Sequence, residues 1–307
     1  MSPTPRPADR SGSLLFPTIG VIGKRTDPAV KPTLLAICRQ LQALGREVLM
    51  DDTHAESGRK AGVPVVSRAE LAARCQLVVV AGGDGTLLDA GRSLAAAEVP
   101  LLGVNQGRLG FMVDVNPEEL AEALSSVLAG EYLRDDRLLL ESRILRGDGR
   151  ETARVLAVND VVIRNSASIR MLEFETWLGE EFISQHRADG MIVSSPTGST
   201  AYALSGGGPV IHPAVAAIAL VPICPHTLSD RPIVVPAEQP VKLVLRGPAN
   251  SRATATCDGQ VNEALAPGDS VLIGRAPYPL RLLHPRRYHY FDVLRDKLHW
   301  GRGPARG

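Results

Sequence analysis

The chain has 307 residues, more than one domain usually holds, so its length predicts two domains, each with its own core. With 44% hydrophobic and 22% charged residues, the composition excludes a disordered or disulfide-stapled chain. The formal net charge of +1 provides no strong basic field, so no nucleic-acid partner is expected.

No segment of the sequence marks the chain for export or for a membrane. Residues 1–13 carry proline and charge where a signal peptide needs an apolar stretch, which predicts a flexible tail. The longest apolar run, Ala214–Cys224, is far shorter than the roughly 20 residues of a membrane helix. The four cysteines form no C-x-x-C pair and are expected to be buried, reduced thiols. We therefore expect a cytoplasmic protein that has no membrane partner.

Residues 14–137 predict an α/β domain with a parallel sheet. Short apolar strands such as Thr18–Ile22 and Leu77–Val80 alternate with segments whose apolar residues recur at helical spacing. In the last of these segments, Pro117–Ala129, leucines four residues apart share one helix face.

Residues 138–284 predict a β-rich domain of stacked, sandwich-like sheets, because short strand-like runs are separated by turn residues. One of these runs is Arg154–Arg164 and another is Arg252–Cys257. Residues 285–307 return to helical spacing, and this closing helix is expected to pack back on the first domain.

A glycine-rich turn, Gly82–Gly85, follows the buried strand that ends at Ala81, and a helix is predicted to start near Thr86. Glycines let the backbone approach a ligand, and the N–H groups at a helix start stabilise phosphate charge. A carboxylate cannot attract phosphate, so Asp84 is predicted to orient, or accept a proton from, a hydroxyl that attacks one. The alternative is a simple turn in which Asp84 caps the helix.

A second polar segment, Ala188–Pro209, is rich in hydroxyl side chains and glycine. Hydroxyls such as those of Thr197 and Ser205 suit ribose or phosphate oxygens, and Tyr202 suits a base or nicotinamide ring. The alternative is a solvated turn, which the length of the segment and its apolar flanks disfavour.

Taken together, the motifs resemble the NAD kinase family, in the family's order and from the first strand to the closing YFDVLRDKLHW. They are GGDGT, NQGRLGFM, AVNDVV, RADG, PTGSTAY with SGGGP, PHTLSDRP and CDGQ. The resemblance implies transfer of the γ-phosphate of ATP to the 2′-hydroxyl of the adenosine ribose of NAD, giving NADP. It also implies a divalent metal, expected to be Mg²⁺, and a homodimer or homotetramer in which a neighbouring subunit completes the site. It assigns no metal ligands.

The same resemblance implies roles for single residues. Asp84 resembles the proton acceptor at the hydroxyl, and Gly85 its neighbour on the dinucleotide. Asn159 and Asp160 resemble the pair that contacts the ribose and base of NAD. Asp160 stands where many members have Glu, a departure that preserves the charge.

Further residues are expected around the dinucleotide by the same resemblance. Arg170 and Arg187 resemble basic contacts, Asp189 a nicotinamide-side ligand, and Gln260 the amide that closes the site. Six consecutive residues resemble the loop around the adenine end: Thr200, Ala201, Tyr202, Ala203, Leu204 and Ser205.

Two other functions share parts of this pattern. Lipid kinases carry a related GGDGT turn, but an acyl-binding cleft would leave the polar groups of Thr197–Ser205 and Asp189 unpaired. A dinucleotide sensor would keep the binding loops and have no need of a base, so the sequence distinguishes it from an enzyme only through Asp84.

Overall fold

The fold is that of a computed structural model, which describes residues 14–25, 27–107, 110–166, 171–227 and 229–300. The predicted tail, residues 1–13, and Arg170 lie outside the described residues. The chain divides into two compact units. The first comprises the described residues up to Asp136 together with those from Arg281 onward, and the second is Arg137–Leu280. The domain limits expected from the sequence stay a prediction.

The first unit is an α/β fold, as the alternating periodicities predicted. Its strands before the second unit are β1 (Thr18–Gly23), β2 (Glu47–Asp51), β3 (Val65–Val66), β4 (Leu77–Ala81), β5 (Leu101–Val104) and β6 (Tyr132–Arg137). Its helices in that stretch are α1 (Lys31–Ala43), α2 (Ala55–Ala61), α3 (Arg68–Arg74), α4 (Asp84–Leu94) and α5 (Leu120–Leu128).

The second unit is built almost wholly from strands. These are β7 (Leu140–Leu145), β8 (Glu151–Ala157), β9 (Asp160–Asn165), β10 (Leu172–Leu178), β11 (Glu181–Ala188), β12 (Gly190–Ser194), β13 (Ala217–Ile223), β14 (Ile233–Pro236), β15 (Val241–Arg246), β16 (Ala253–Cys257), β17 (Val261–Leu265) and β18 (Ser270–Arg275). A short helix, α6 (Tyr202–Ser205), interrupts them.

The end of the chain returns to the first unit as β19 (Leu280–Pro285) and α7 (Tyr290–Leu298). The resulting seven-stranded sheet has the order β3-β2-β1-β4-β5-β19-β6. Its pairs from β3 to β19 are parallel. Because β1 lies between β2 and β4, the strand order reverses beside it, and ligands of open parallel sheets bind at the carboxyl ends of strands at such a point.

Helices α1 and α5 cover one face of this sheet because each has an apolar stripe. Leu34, Ile37 and Leu41 of α1 belong to one buried cluster with Leu124 of α5 and the strand residue Val79. Strands β4 and β5 are buried along their whole length, as expected when helices cover both faces of a parallel sheet.

The second unit is a sandwich of two six-stranded antiparallel sheets. The orders are β11-β10-β15-β18-β7-β8 and β14-β13-β12-β9-β16-β17, and one apolar core is shared by residues of both. The predicted strand Arg154–Arg164 is wrong as a single element: it forms β8 in the first sheet and β9 in the second. The chain changes sheets at Val158 and Asn159.

A second apolar cluster lies on the opposite face of the β9 sheet. Ala203 and Ile211, from the segment that follows β12, pack there against Val162, Ile192 and Val221. The hydroxyl-rich segment is therefore folded onto a strand face instead of projecting as a solvated turn.

Two expectations from the sequence concern membrane-spanning helices and the burial of the four cysteines. Within the described ranges, no helix is long and apolar enough to cross a membrane. Burial raises the pKa of Cys38 to about 11 and that of Cys75 to about 12, and Cys257 is buried too. Cys224 is exposed, so the expectation of four buried thiols is wrong for this residue, which follows β13 with a positive φ of 44°.

Candidate active site

Asp84 is the first residue of α4, directly after the glycine turn at the carboxyl end of β4. Gly83 is the helix N-cap, and no side chain caps this helix start. A side chain at position 82 would collide with Thr86, since a Cβ there would lie 2.7 Å from the Cβ of Thr86. The turn therefore presents a carboxylate where the strand order reverses.

The Asp84 carboxylate is held by backbone donors of a second loop. Phe111 donates its N–H to Oδ2 at 2.9 Å, and Met112 donates its N–H to Oδ1 at 3.1 Å. Gly110 lies against the same group, because a Cβ there would be 2.7 Å from Cγ and 2.9 Å from Oδ2. The alternative of a simple helix cap is excluded for this side chain, which is instead fixed in place by a neighbouring loop.

That loop is shaped by its own polar contacts. Asn105, fully buried, donates from Nδ2 to Oδ1 of Asn116 at 2.6 Å and accepts the N–H of Gly107 at 2.8 Å. The backbone of Val115 returns to β5 by accepting the N–H of Asn105 at 2.9 Å. The NQGRLGFM motif contributed to the family resemblance without an assigned role. In the structure, Gly110, Phe111 and Met112 of this motif contact the Asp84 carboxylate, and Asn105 shapes the loop that carries them.

In the second unit, Asn159 and Asp160 lie where the chain enters β9. The Asp258 carboxylate accepts the N–H groups of Val158, Asn159 and Asp160 at 3.0, 2.7 and 3.3 Å. Asp258 has a φ of 50° and is followed by Gly259 at 66°, which turns its side chain back toward this strand end. The Asp258-Gly259 turn, part of the CDGQ motif, thus organises the predicted pair.

A cavity of about 460 Å³ opens on the face of the β9 sheet away from the sandwich core. Predicted site residues on its wall are Asn159, Asp160, Ala201 and Tyr202. Sequence reasoning missed three further lining residues with polar side chains: Arg164, Thr256 and Asn262. Alternation along β9 and β16 would have placed Arg164 and Thr256 on the Asp160 face, had the strand limits been known.

The loop between β12 and α6 is fastened to the same strand end. Ser195 donates its N–H to the carbonyl of Asn159 at 2.8 Å and its hydroxyl to that of Val158 at 2.5 Å. A side chain at Gly198 would lie 2.5 Å from the carbonyl carbon of Asn159. This contact explains why the motif has glycine at this position and how it brings Tyr202 to the cavity.

Other predicted residues do not line this cavity. Arg187 is exposed, and its Nε lies 3.5 Å from Oε1 of Glu173. Asp189 is exposed just beyond the end of β11. Gln260 is exposed in the turn after β16, next to the lining residue Gly259. In the segment predicted to surround the adenine end, Ala203 is buried in the apolar cluster, while Thr200, Leu204 and Ser205 flank the lining residues. Gly85 is exposed in the first turn of α4.

The carboxyl group of Asp160 has a raised pKa. Burial and the neighbouring carboxylate of Asp258 raise its pKa to about 7, from an ordinary value of 3.8. When protonated, a buried carboxyl has one O–H donor and one carbonyl acceptor, so it can donate a hydrogen bond to a ligand hydroxyl or accept one from it.

This acidity predicts the effect of Asp160→Asn on stability. Between pH 4 and 7 the unfolded chain ionises Asp160 while the folded chain keeps it protonated, so wild-type stability falls as pH rises. Asp160→Asn removes this cost, and its advantage in unfolding free energy should grow by about 1.4 kcal/mol per pH unit in that window.

Urea unfolding at about pH 5 and about pH 8 measures this difference. Asp148→Asn, in an exposed turn, is the matched control and should show no such trend. An advantage for Asp160→Asn that is equal at the two pH values would contradict the assigned acidity.

No group of three or more His, Cys, Asp or Glu side chains converges as a metal site within the described ranges.

Comparison with known protein families finds one matching domain in each half of the chain. The model of the ATP-NAD kinase N-terminal domain matches residues 19–132, and that of the C-terminal domain matches residues 158–284. The NAD kinase of Teredinibacter turnerae is 44% identical over 285 residues, covering 93% of this chain and 97% of that protein. The NAD kinase of Chromobacterium violaceum is 43% identical over 287 residues, covering 94% and 98%.

Solved structures agree in fold. The yeast NADH kinase complexed with NADH aligns with a TM-score of 0.86 at 21% identity, over 94% of this chain and 89% of that one. An NAD kinase from Archaeoglobus fulgidus in complex with ATP aligns with a TM-score of 0.69 at 25% identity, over 92% and 98%.

An α/β unit with a carboxylate in a glycine turn is followed along the chain by a β-sandwich with a polar cavity, and the matches to known proteins show that the chain is a kinase. Since two domain models match most of the chain and close relatives span it, the chain belongs to the ATP-NAD kinase family.

Proposed function

We propose that this protein phosphorylates the 2′-hydroxyl of the adenosine ribose of NAD with ATP, and that Asp84 is the group that accepts the hydroxyl proton. The observation that carries the proposal is the fixed carboxylate of Asp84 in a glycine turn at the carboxyl end of a parallel strand. The family membership supplies the reaction.

In the proposed reaction, the 2′-oxygen attacks the γ-phosphorus and the bond from that phosphorus to the ADP oxygen breaks. The proton of the hydroxyl passes to an Asp84 oxygen. The transition state of such transfers is loose, so catalysis depends on positioning and on charge stabilisation. The two backbone donors keep the carboxylate in one orientation, and Gly83 and Gly85 leave open space beside it, since a Cβ at either would meet nothing within 4 Å.

The cavity beside Asp160 supports the NAD part of the proposal. Its wall offers an amide in Asn159, a carboxyl in Asp160 and an aromatic ring in Tyr202, which suit ribose hydroxyls and a base. We assign the other contacts to Arg170, Arg187, Asp189 and Gln260 on the family resemblance. Arg164 at the cavity wall is an additional basic group for the pyrophosphate.

Mg²⁺ bound to the triphosphate would mask its charge toward the incoming oxygen. We assign it no protein ligand. We also propose that the protein is cytoplasmic, that the two compact units are the two predicted domains, and that a homodimer or homotetramer is the working form.

The test is to mix purified protein with ATP, Mg²⁺ and NAD and to detect NADP with a dehydrogenase strictly specific for NADP. Polyphosphate replaces ATP in a parallel reaction, and NADH replaces NAD in another. We expect NADP from ATP and NAD. Folded protein that binds NAD and forms no NADP with either donor would instead indicate the dinucleotide sensor.

A further inference from the structure

A buried charged cluster in the first unit lies outside the groups used so far. His284, on β19, is 1% exposed, and its Nδ1 lies 3.1 Å from Oδ2 of Asp114, whose side chain is 8% exposed. Its Nε2 lies 3.5 Å from Oδ2 of Asp135 on β6. The ring of Tyr288 stacks on the imidazole at 3.9 Å. Both ring nitrogens therefore lie within ion-pair distance of a carboxylate.

The cluster reaches the Asp84 loop through a short piece of backbone. Asp114 is two residues beyond Met112, one of the two donors to Asp84. Between them, Val113 accepts the N–H of Gly110 at 2.9 Å, and Val115 pairs with β5 on the other side. Asp114 therefore lies in the same short segment as the two donors.

The charge of the cluster follows from its chemistry. Two carboxylates face one buried imidazole, and Oδ1 of Asp114 has no hydrogen-bond partner among the described residues. A neutral ring would leave the buried carboxylate of Asp114 without a compensating charge among the described residues, which is costly. Burial opposes a charged His284, but Asp114 and then Asp135 outweigh it and raise the pKa of His284. The ring of Tyr288, which carries a titratable phenol, also packs against the imidazole.

We propose that His284 is a positioning residue for phosphoryl transfer: as an imidazolium between Asp114 and Asp135, it fixes the 110–115 segment whose N–H groups hold the Asp84 carboxylate. The inference rests on the proposed role of Asp84. β19 thereby gains a function. It is far from Asp84 in sequence, but it pairs with β5, the strand that precedes the loop.

The test is a double-mutant cycle on kcat with His284→Gln and Asp84→Asn. We expect His284→Gln alone to lower kcat by about 10- to 100-fold, with KM for NAD and ATP changed by less than about threefold, because misplaced catalytic groups cost rate and not binding. In the Asp84→Asn background the same change should have no further effect, since both act through one carboxylate. Multiplying effects would overturn the proposal.

Glu98→Gln is the matched control, because Glu98 pairs with Arg281 on the same strand, β19, with its own side chain about half exposed, and it should leave kcat unchanged. If His284→Gln does not fold, Asp114→Asn, which keeps the side-chain size, carries the same cycle. Nitrogen NMR of the histidine rings in the wild type adds a direct reading: we expect the buried ring to be doubly protonated at neutral pH, and a neutral ring would overturn the proposal. Formation of NADP by the wild type and its loss in Asp84→Asn establish the proposed function separately, whatever His284 does.

Discussion

Asp84→Asn is expected to lower kcat for NADP formation by about 10²–10⁴-fold, the range for loss of a general base. Asparagine keeps the size and one oxygen, so the turn and the start of α4 should persist. It cannot take the hydroxyl proton, and its NH₂ group cannot accept an N–H from Phe111 or Met112. The KM values for NAD and ATP should change far less than kcat, which steady-state kinetics on both substrates will show.

Asp89→Asn is the matched control for this change. Asp89 lies on the same helix, its side chain is about half exposed, and it faces Arg68 and Arg92. We expect kcat of Asp89→Asn to stay within about twofold of wild type, as for surface substitutions. Equal losses in both variants would point to damage to α4 and not to the loss of a base.

Gly110→Ala should lower kcat by about 100-fold, because the added methyl occupies the space of the Asp84 carboxylate. The φ of Gly110 is not in the left-handed region, so the contact with Asp84, and not backbone strain, is the cause. If the carboxylate turns away, its two backbone donors lose their acceptor, and the free energy of unfolding should fall by roughly 1–3 kcal/mol. Kinetics and urea unfolding measure the two effects.

Gly147→Ala tests whether any added methyl has this effect. A Cβ at Gly147 would meet its nearest neighbour at 3.6 Å, an ordinary contact. We expect normal kcat for this variant. Wild-type kcat in Gly110→Ala would show that the loop does not hold the carboxylate during the reaction.

The sequence predicted the parallel sheet because its signals are local. Strands β1 and β4 are short apolar runs, and α1 has a clear apolar stripe, so their types follow from periodicity. The sandwich was predicted equally well from many short strands. Asp84 and Tyr202 stood out because glycine and hydroxyl clusters are rare in cores.

What the sequence could not provide are contacts between distant segments. The backbone N–H groups of Phe111 and Met112 leave no mark in side-chain chemistry, so their bonds to Asp84 could not be predicted. Likewise, the sequence could not show that the run Arg154–Arg164 changes sheets, because Asn159 fits a strand end as well as a turn. The partner of a strand such as β19 depends on tertiary packing, which periodicity does not report.

The most direct test of Asp84 as the proton acceptor is a single-turnover reaction with ATP labelled in the γ-phosphate, using wild type and Asp84→Asn saturated with NAD and Mg²⁺. We expect wild type to move the label to the 2′-position of NADP. Asp84→Asn should bind NAD normally but transfer the label at least about 100-fold more slowly. Equal transfer rates in the two proteins would contradict the assignment of Asp84 as the proton acceptor.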